Sequence, residues 1–265
     1  MISQPMSTKI YPTPIYGPVH SRRLGWSLGI NLMPDDGKVC SFDCIYCECG
    51  YNSEHRPNHK RPTRQEVRIA LEEQLQKMKT EGQPLDVLTF AGNGEPTGHP
   101  DFYNIINDTI ELRNRYCPNA KISVLSNSTY IARPEIHAAL MRVDNNILKL
   151  KTVSEDYIKL VDRPTTRNYR VDNIIEDLKS FHGHVIVQTM FMKGTTEDGK
   201  DVDNTGDEFV KPWLKAIVDI QPQEVMIYTI DRETPDSHLV KASKEELNHI
   251  RDRVIAEGIM CQASY

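Results

Sequence analysis

Apolar and polar positions along the chain switch repeatedly between a period of two and a period near 3.6, the pattern of strands followed by helices. Ser27 to Leu32 is short and β-compatible. Thr63 and Glu66 make a capping box, after which Val67, Leu71, Leu75 and Met78 recur on one helical face. Leu85 to Ala91 carries the Val, Leu and Phe of a buried strand, and Asp101 to Tyr116 reads as a helix with Phe102, Ile105, Ile106 and Ile110 inward. Ala120 to Leu125 is the next strand and Pro134 to Met141 the next helix. Asn146 to Lys151 reads as a strand and Val171 to Phe181 as a helix. His184 to Met192 and Glu224 to Ile230 are the fifth and sixth strands, with a helix near Asp207 to Val218 between them. Ser243 and Glu246 form a second capping box, opening a helix to about Glu257 that Gly258 can end.

Six β-then-α units with short connections imply a parallel sheet wrapped by helices. No proline- or glycine-rich linker and no internal repeat divides the sequence. The expected architecture is therefore a single α/β domain over residues 1–265, an open (β/α)6 partial barrel across 27–258 with 1–26 as its N-terminal segment. Ligands of such folds sit at the carboxyl ends of the strands.

Composition narrows the setting. With 265 residues, 38% hydrophobic and 26% charged, the chain suffices for one barrel-sized domain or two small ones. No apolar run approaches the roughly 20 residues of a membrane span, and no charged-then-apolar signal pattern opens the sequence. A cytoplasmic protein without membrane contact is expected. The formal net charge of −5 gives no general electrostatic support for a nucleic-acid partner. One local stretch is basic: His55-Arg56, His59-Lys60-Arg61, Arg64 and Arg68. It reads as a solvated turn or as a docking place for a phosphate-rich substrate.

The cysteines carry the chemistry. Four of six lie between 40 and 49, which is not a disulfide framework and suits a reducing compartment. Cys117 and Cys261 are isolated and read as ordinary thiols. Cys40, Cys44 and Cys47 are spaced C-x3-C-x2-C, and three thiolates on one loop can hold three irons of a [4Fe–4S] cube. Electron-transfer cubes are normally closed by a fourth cysteine, so an iron left open is a position for chemistry. Zinc is the alternative, with Cys49 as fourth thiolate. Zinc ribbons place their second ligand pair a loop further on, however, and here only His55 and His59 come near. A ferredoxin run has a different spacing and a trailing proline.

This spacing, with Tyr46 just before the last cysteine, resembles the signature loop of the radical S-adenosylmethionine (SAM) enzymes. The resemblance implies a cube at Cys40, Cys44 and Cys47 whose open iron chelates the amino and carboxylate groups of SAM. One electron then cleaves the sulfonium to methionine and a 5′-deoxyadenosyl radical, which abstracts hydrogen from a substrate. It also implies a reductase or flavodoxin-type electron donor, and it places Tyr46 against the adenine.

Strand two ends in Gly92-Asn93-Gly94-Glu95-Pro96. Glycines there let a backbone approach a ligand, and a carboxylate beside them can bind an ammonium. The run resembles the family's glycine-glycine-glutamate-proline motif, which holds the methionyl amino group; Asn93 stands where the first motif glycine would be, while Gly94, Glu95 and Pro96 match. Strand parity in Leu148-Lys149-Leu150-Lys151 turns both lysines toward the lumen, a costly placement unless anions meet them. The Leu-x-Leu-Lys pattern resembles the fourth strand of glycyl-radical activating enzymes, which makes Lys151 the expected contact of the SAM carboxylate, with lysines snorkelling at a strand end as the bland alternative. Asn127 and Gln188 are polar where apolar residues would be cheaper, as ribose or adenine contacts or as satisfied structural groups.

Tyr16-Gly17-Pro18-Val19, Ser21 to Gly25, Ser27 to Asn31, Asp162-Arg163-Pro164 and Tyr228 to Arg232 resemble the group that includes the tRNA wyosine-base synthases. Those synthases carry a second cluster on further N-terminal cysteines, whereas this sequence has no cysteine before Cys40. The substrate is then RNA, a protein or peptide, or a small metabolite. Arg22, Arg23, Arg163, Tyr228, Asp231 and Arg232 are candidate contacts for it or for SAM, and equally candidates for rim ion pairs. A non-catalytic iron–sulfur or zinc module is the competing class.

Overall fold

The computed structural model describes residues 9–21 and 24–265, so Arg22 and Arg23 lie outside the described residues. The chain forms two compact units. The first takes in Ile10–Cys40 and His55–Leu148; the second takes in Lys9, Ser41–Glu54 and Lys149–Tyr265.

In the first unit, β1 (Ile15–Ser21) pairs antiparallel with β2 (Gly25–Ile30). Then come α1 (Arg64–Glu81), β3 (Val87–Phe90), α2 (Phe102–Tyr116), β4 (Lys121–Ser126), α3 (Pro134–Leu140) and β5 (Asn145–Lys149). β2, β3, β4 and β5 run parallel in that order. The capping box at Thr63 forms as expected, and Gly82 closes α1 in the left-handed region. On α2 the buried stripe is Phe102, Ile105, Ile106, Thr109 and Leu112; Ile110 is only half-buried, one helical step off the stripe.

Alternation sorts the strand faces. Leu28, Ile30, Leu88, Phe90, Ile122 and Val124 are buried on one face. The other carries small polar residues in register: Gly29, Thr89, Ser123 and Asn145 stand opposite one another in turn. Ser27 and Thr89 share a buried hydroxyl contact of 2.8 Å, and Asn145 Nδ2 donates to Ser123 Oγ at 2.8 Å. Lys149 falls on this polar face by parity.

The second unit continues with α4 (Glu155–Val161), α5 (Val171–Lys179), β6 (Ile186–Met190), β7 (Met192–Gly194), α6 (Asp207–Ile220), β8 (Glu224–Tyr228), β9 (Leu239–Lys241), α7 (Lys244–Ala256) and β10 (Cys261–Ser264). β6, β8 and β10 are parallel neighbours, and β7 with β9 makes a separate antiparallel ribbon. Leu150, just past β5, donates its N–H to the Gln188 carbonyl of β6 at 3.2 Å. All six expected strands form, and β1 and β10 are end strands with one neighbour each. The fold is α/β with a mostly parallel sheet, an open partial barrel. No helix among the described residues is long and apolar enough to cross a membrane.

The basic stretch has local partners. Arg64 pairs with Asp108 through two bonds of 2.7 and 2.8 Å, Arg68 reaches Asp108 and Glu111, and Arg61 donates to the Gly98 carbonyl. The Arg64 and Arg68 guanidinium groups stitch α1 to α2.

Candidate functional site

In the first unit the turn after β3 lies against the residue before Cys40. Val39 N–H donates to the Asn93 carbonyl at 2.9 Å, and Glu95 N–H donates to the Val39 carbonyl at 3.2 Å. Gly94, at φ +142°, sits where a Cβ would be 1.8 Å from the Val39 oxygen. Only glycine fits there, because backbone meets backbone. Asn93 is fully buried and its amide is engaged: Nδ2 donates to the Tyr11 and Pro34 carbonyls, and Oδ1 accepts from Tyr11 N–H. That side chain fastens the residues leading into β1 to the turn.

Glu95 is 3% exposed and caps the single turn of 3-10 helix at Pro96–Gly98. Its Oε1 accepts from Thr97 N–H, Thr97 Oγ1 and Ser126 Oγ; its Oε2 accepts from Asn127 N–H at 2.6 Å. Asn127, at the end of β4, in turn donates from Nδ2 to Cys40 Sγ at 3.5 Å. One carboxylate thus fixes the asparagine that faces the first cysteine. Each carboxylate oxygen accepts a fixed backbone N–H, so an amide in its place would turn an NH2 toward a donor in either orientation. Glu95→Gln is expected to destabilise the protein by about 1–3 kcal/mol, read as a lowered urea midpoint.

In the second unit the segment with the other cysteines is pinned along its backbone. Asp43 N–H donates to the Asp162 carbonyl at 3.0 Å, Ile45 N–H to Val161 at 3.0 Å, Thr165 N–H to Ser41 at 2.9 Å, and Asp236 N–H to Ile45 at 3.2 Å. Cys44 and Cys49 are buried and Cys47 is half-buried. Lys151, its side chain 9% exposed, donates to Cys44 Sγ at 3.2 Å and forms an ion pair with Asp162 Oδ1, whose side chain is 0% exposed. Tyr46 Oη donates to the same Oδ1 at 2.7 Å, and the Lys151 ammonium lies over the Tyr46 and Phe42 rings at 5.0 and 4.7 Å.

Electrostatics follow from this packing. Burial works against the Lys151 ammonium, but Asp162 and the Cys44 sulfur outweigh it and hold the pKa above that of an ordinary lysine. Burial, then the Asp162 carboxylate, push the Tyr46 phenol well above its usual value, so it stays a donor. Lys149 is also held above its ordinary value, with Tyr228 offsetting the pull of burial.

Asp162 is the group the sequence reading passed over. The protein itself supplies an anion to Lys151: Asp162 stands on that ammonium, and a SAM carboxylate there would share it with this residue. The Asp162-Arg163-Pro164 run held the signal, but the charge singled out there was Arg163, which is exposed and lies over the Tyr51 ring at 5.4 Å. At the rim, Asp231 pairs with Lys241 at 3.7 Å and Arg232 with Glu48. Gln188 is buried in β6 and Tyr228 half-buried at the end of β8.

The donor set suits a cluster. Cys40 and Cys44 each accept an N–H hydrogen bond at sulfur, the environment that stabilises anionic cluster ligands. Around one zinc ion, sulfurs at about 2.3 Å would stand about 3.8 Å apart. Cys44, Cys47 and Cys49 form no such trio: among the described residues, only Asp35, Asp36 and His59 bring three ligand atoms within 4.8 Å of one another.

Comparison with known proteins agrees. The radical SAM superfamily matches residues 36–205. The chain is 30% identical over 242 residues to the UPF0026 protein MJ1312 of Methanocaldococcus jannaschii, covering 88% of this chain and 68% of that protein. It is 26% identical over 244 residues to a Brachyspira hyodysenteriae protein named GTPase Obg, covering 91% of this chain but only 33% of the relative. Among solved structures, a radical SAM methyltransferase from Sphaerobacter thermophilus superposes with a TM-score of 0.65 at 16% identity, over 90% of this chain and 66% of that one.

Proposed function

Because the chain belongs to the radical SAM superfamily, we propose that Cys40, Cys44 and Cys47 hold one [4Fe–4S] cube and leave its fourth iron to SAM. Radical SAM enzymes need this cluster, SAM, an electron donor and a substrate. When bound, the cube supplies the electron that cleaves SAM to methionine and a 5′-deoxyadenosyl radical. The observation that carries the assignment is the pair of N–H donors on the Cys40 and Cys44 sulfurs, each held by a buried carboxylate: Asn127 by Glu95, Lys151 by Asp162.

The chain's own residues then bind and orient. Glu95 Oε2 accepts one protein donor and keeps a lone pair for the methionyl ammonium. Lys149 and Lys151 are the two cations assigned to the SAM carboxylate, and at Lys151 it would share the ammonium with Asp162. Tyr46, Asn127 and Gln188 are assigned to the nucleoside. The radical abstracts hydrogen from a substrate that is RNA, a protein or peptide, or a small metabolite. The motifs at Tyr16 to Asn31, Asp162 to Pro164 and Tyr228 to Arg232 support a place beside the tRNA wyosine-base synthases. The guanidinium groups of Arg64 and Arg68, paired with Asp108 and Glu111, weaken the case for a phosphate-rich substrate at that stretch.

Anaerobic reconstitution with iron and sulfide, then dithionite and SAM, tests the reading. Release of 5′-deoxyadenosine is expected; a stoichiometric zinc atom without cleavage would remove it. Cys49→Ala should keep a full iron load and SAM cleavage, and Cys44→Ala should lose both. Loss of the cluster in the Cys49 variant would reassign the ligands.

A further inference from the structure

Lys151 is joined to Cys44 by an N–H···S contact of 3.2 Å, and two neighbours determine where its ammonium sits. Asp162 Oδ1 accepts from both Lys151 and Tyr46, while Asp162 Oδ2 is buried and has no hydrogen-bond partner. The carboxylate therefore directs all its bonding through one oxygen, on the side of the lysine. The Phe42 and Tyr46 rings flank the ammonium, and the lysine side chain is only 9% exposed. A cation fixed this way, largely buried, acts on the neighbouring sulfur more strongly than a solvated lysine would.

We infer that Lys151 sets the reduction potential of the cluster, as a fixed positive charge on the Cys44 sulfur, and that Asp162 and Tyr46 are positioning residues for it. This rests on the cluster assignment proposed above and adds a purpose to a buried ion pair that stability alone does not require, since such pairs are often replaceable by apolar residues. One electron from a low-potential donor enters the cube and no proton needs to accompany it. The added negative charge is stabilised by the ammonium, so the cation raises the potential and makes the cluster reducible by weaker donors.

The opposing charge of Asp162 gives the test its sign. In Asp162→Asn the amide oxygen can keep both bonds now made to Oδ1, and the new NH2 takes the place of the unpartnered Oδ2. The lysine stays and its counter-charge goes. In Lys151→Met/Asp162→Asn the net charge of the pair is unchanged, but the N–H···S contact is lost. The probe is a mediator titration of the reconstituted cluster, without SAM, followed by its electron paramagnetic resonance signal. At a fixed ambient potential the ratio of reduced to oxidised cluster should fall about tenfold in the double variant, about 59 mV for one electron. It should not fall in Asp162→Asn. A double variant with a full iron load and an unmoved potential would overturn the inference, as would an equal fall in Asp162→Asn.

Should the double variant not take up iron, Lys149→Met protein carrying 15N-labelled lysine decides the matter. Its reduced cluster should show 15N coupling in pulsed spectra, because Lys151 touches a ligand sulfur, and absence of that coupling defeats the inference. The wild-type protein is measured first for iron, sulfide and the resonance signal. No cube there means the function reading has failed; a cube with an unmoved potential means only this inference has.

Discussion

Gly94→Ala is expected to cost about 3 kcal/mol or more, from backbone strain and overpacking of about 1–3 kcal/mol each. At φ +142° an L side chain is strained, and its Cβ would lie 1.8 Å from the Val39 oxygen, so the turn and the strand leading to Cys40 must part. The isolated bridge between Val39 and Gly94 would go with them. Iron content after reconstitution should fall along with the urea midpoint. Gly258→Ala is the control: its φ is +79°, but nothing lies within 4 Å of the added methyl, so only the conformational term of about 1 kcal/mol remains. Equal losses in the two variants would mean that the close approach at Gly94 does not matter.

Asp162→Ala is the second large effect. It leaves the Lys151 ammonium buried without its carboxylate and Tyr46 Oη without its acceptor. Breaking a buried pair by removing one partner costs about 3–5 kcal/mol, most of it the uncompensated charge. Asp162→Asn removes the counter-charge too but retains an oxygen for both donors, so it should cost less than alanine by only the hydrogen bonds it keeps, about 1–3 kcal/mol. Denaturation midpoints of the two variants check the order, and an alanine variant as stable as the wild type would show that the ion pair contributes no stability.

The sequence revealed periodicity and spacing best. Both capping boxes, at Thr63 and Ser243, form with the expected partners, because a cap is decided within four residues. The three-cysteine run and the Gly94-Glu95-Pro96 turn were legible for the same reason. Three kinds of feature were not. β1 and β10 carry Gly17, Pro18, Gln262 and Ser264 and each pairs with a single neighbouring strand, so local propensity does not announce them. The role of Asn93 depends on Tyr11, which is 82 residues away in sequence. Lys151 lies two residues past β5 rather than within it, and the identity of its anion lay outside the strand: Asp162 follows α4, and no period links it to β5. The basic stretch was misleading in the same way, since Asp108 and Glu111 on α2 are invisible to a local charge count.

The segment from Ser41 to Ile45 is held by main-chain groups, the N–H of Asp43 and of Ile45 and the carbonyls of Ser41 and Ile45. Any residue other than proline offers the same N–H, so this part of the support is indifferent to the side chains at 43 and 45. Phe42 and Ile45 are bound by packing as well, since both are buried and the Phe42 ring lies under the Lys151 ammonium. What this backbone pairing also fixes is the count of residues, since an insertion or deletion between Cys40 and Cys47 would put the cysteines out of step with the main-chain bonds that hold Asp43 and Ile45.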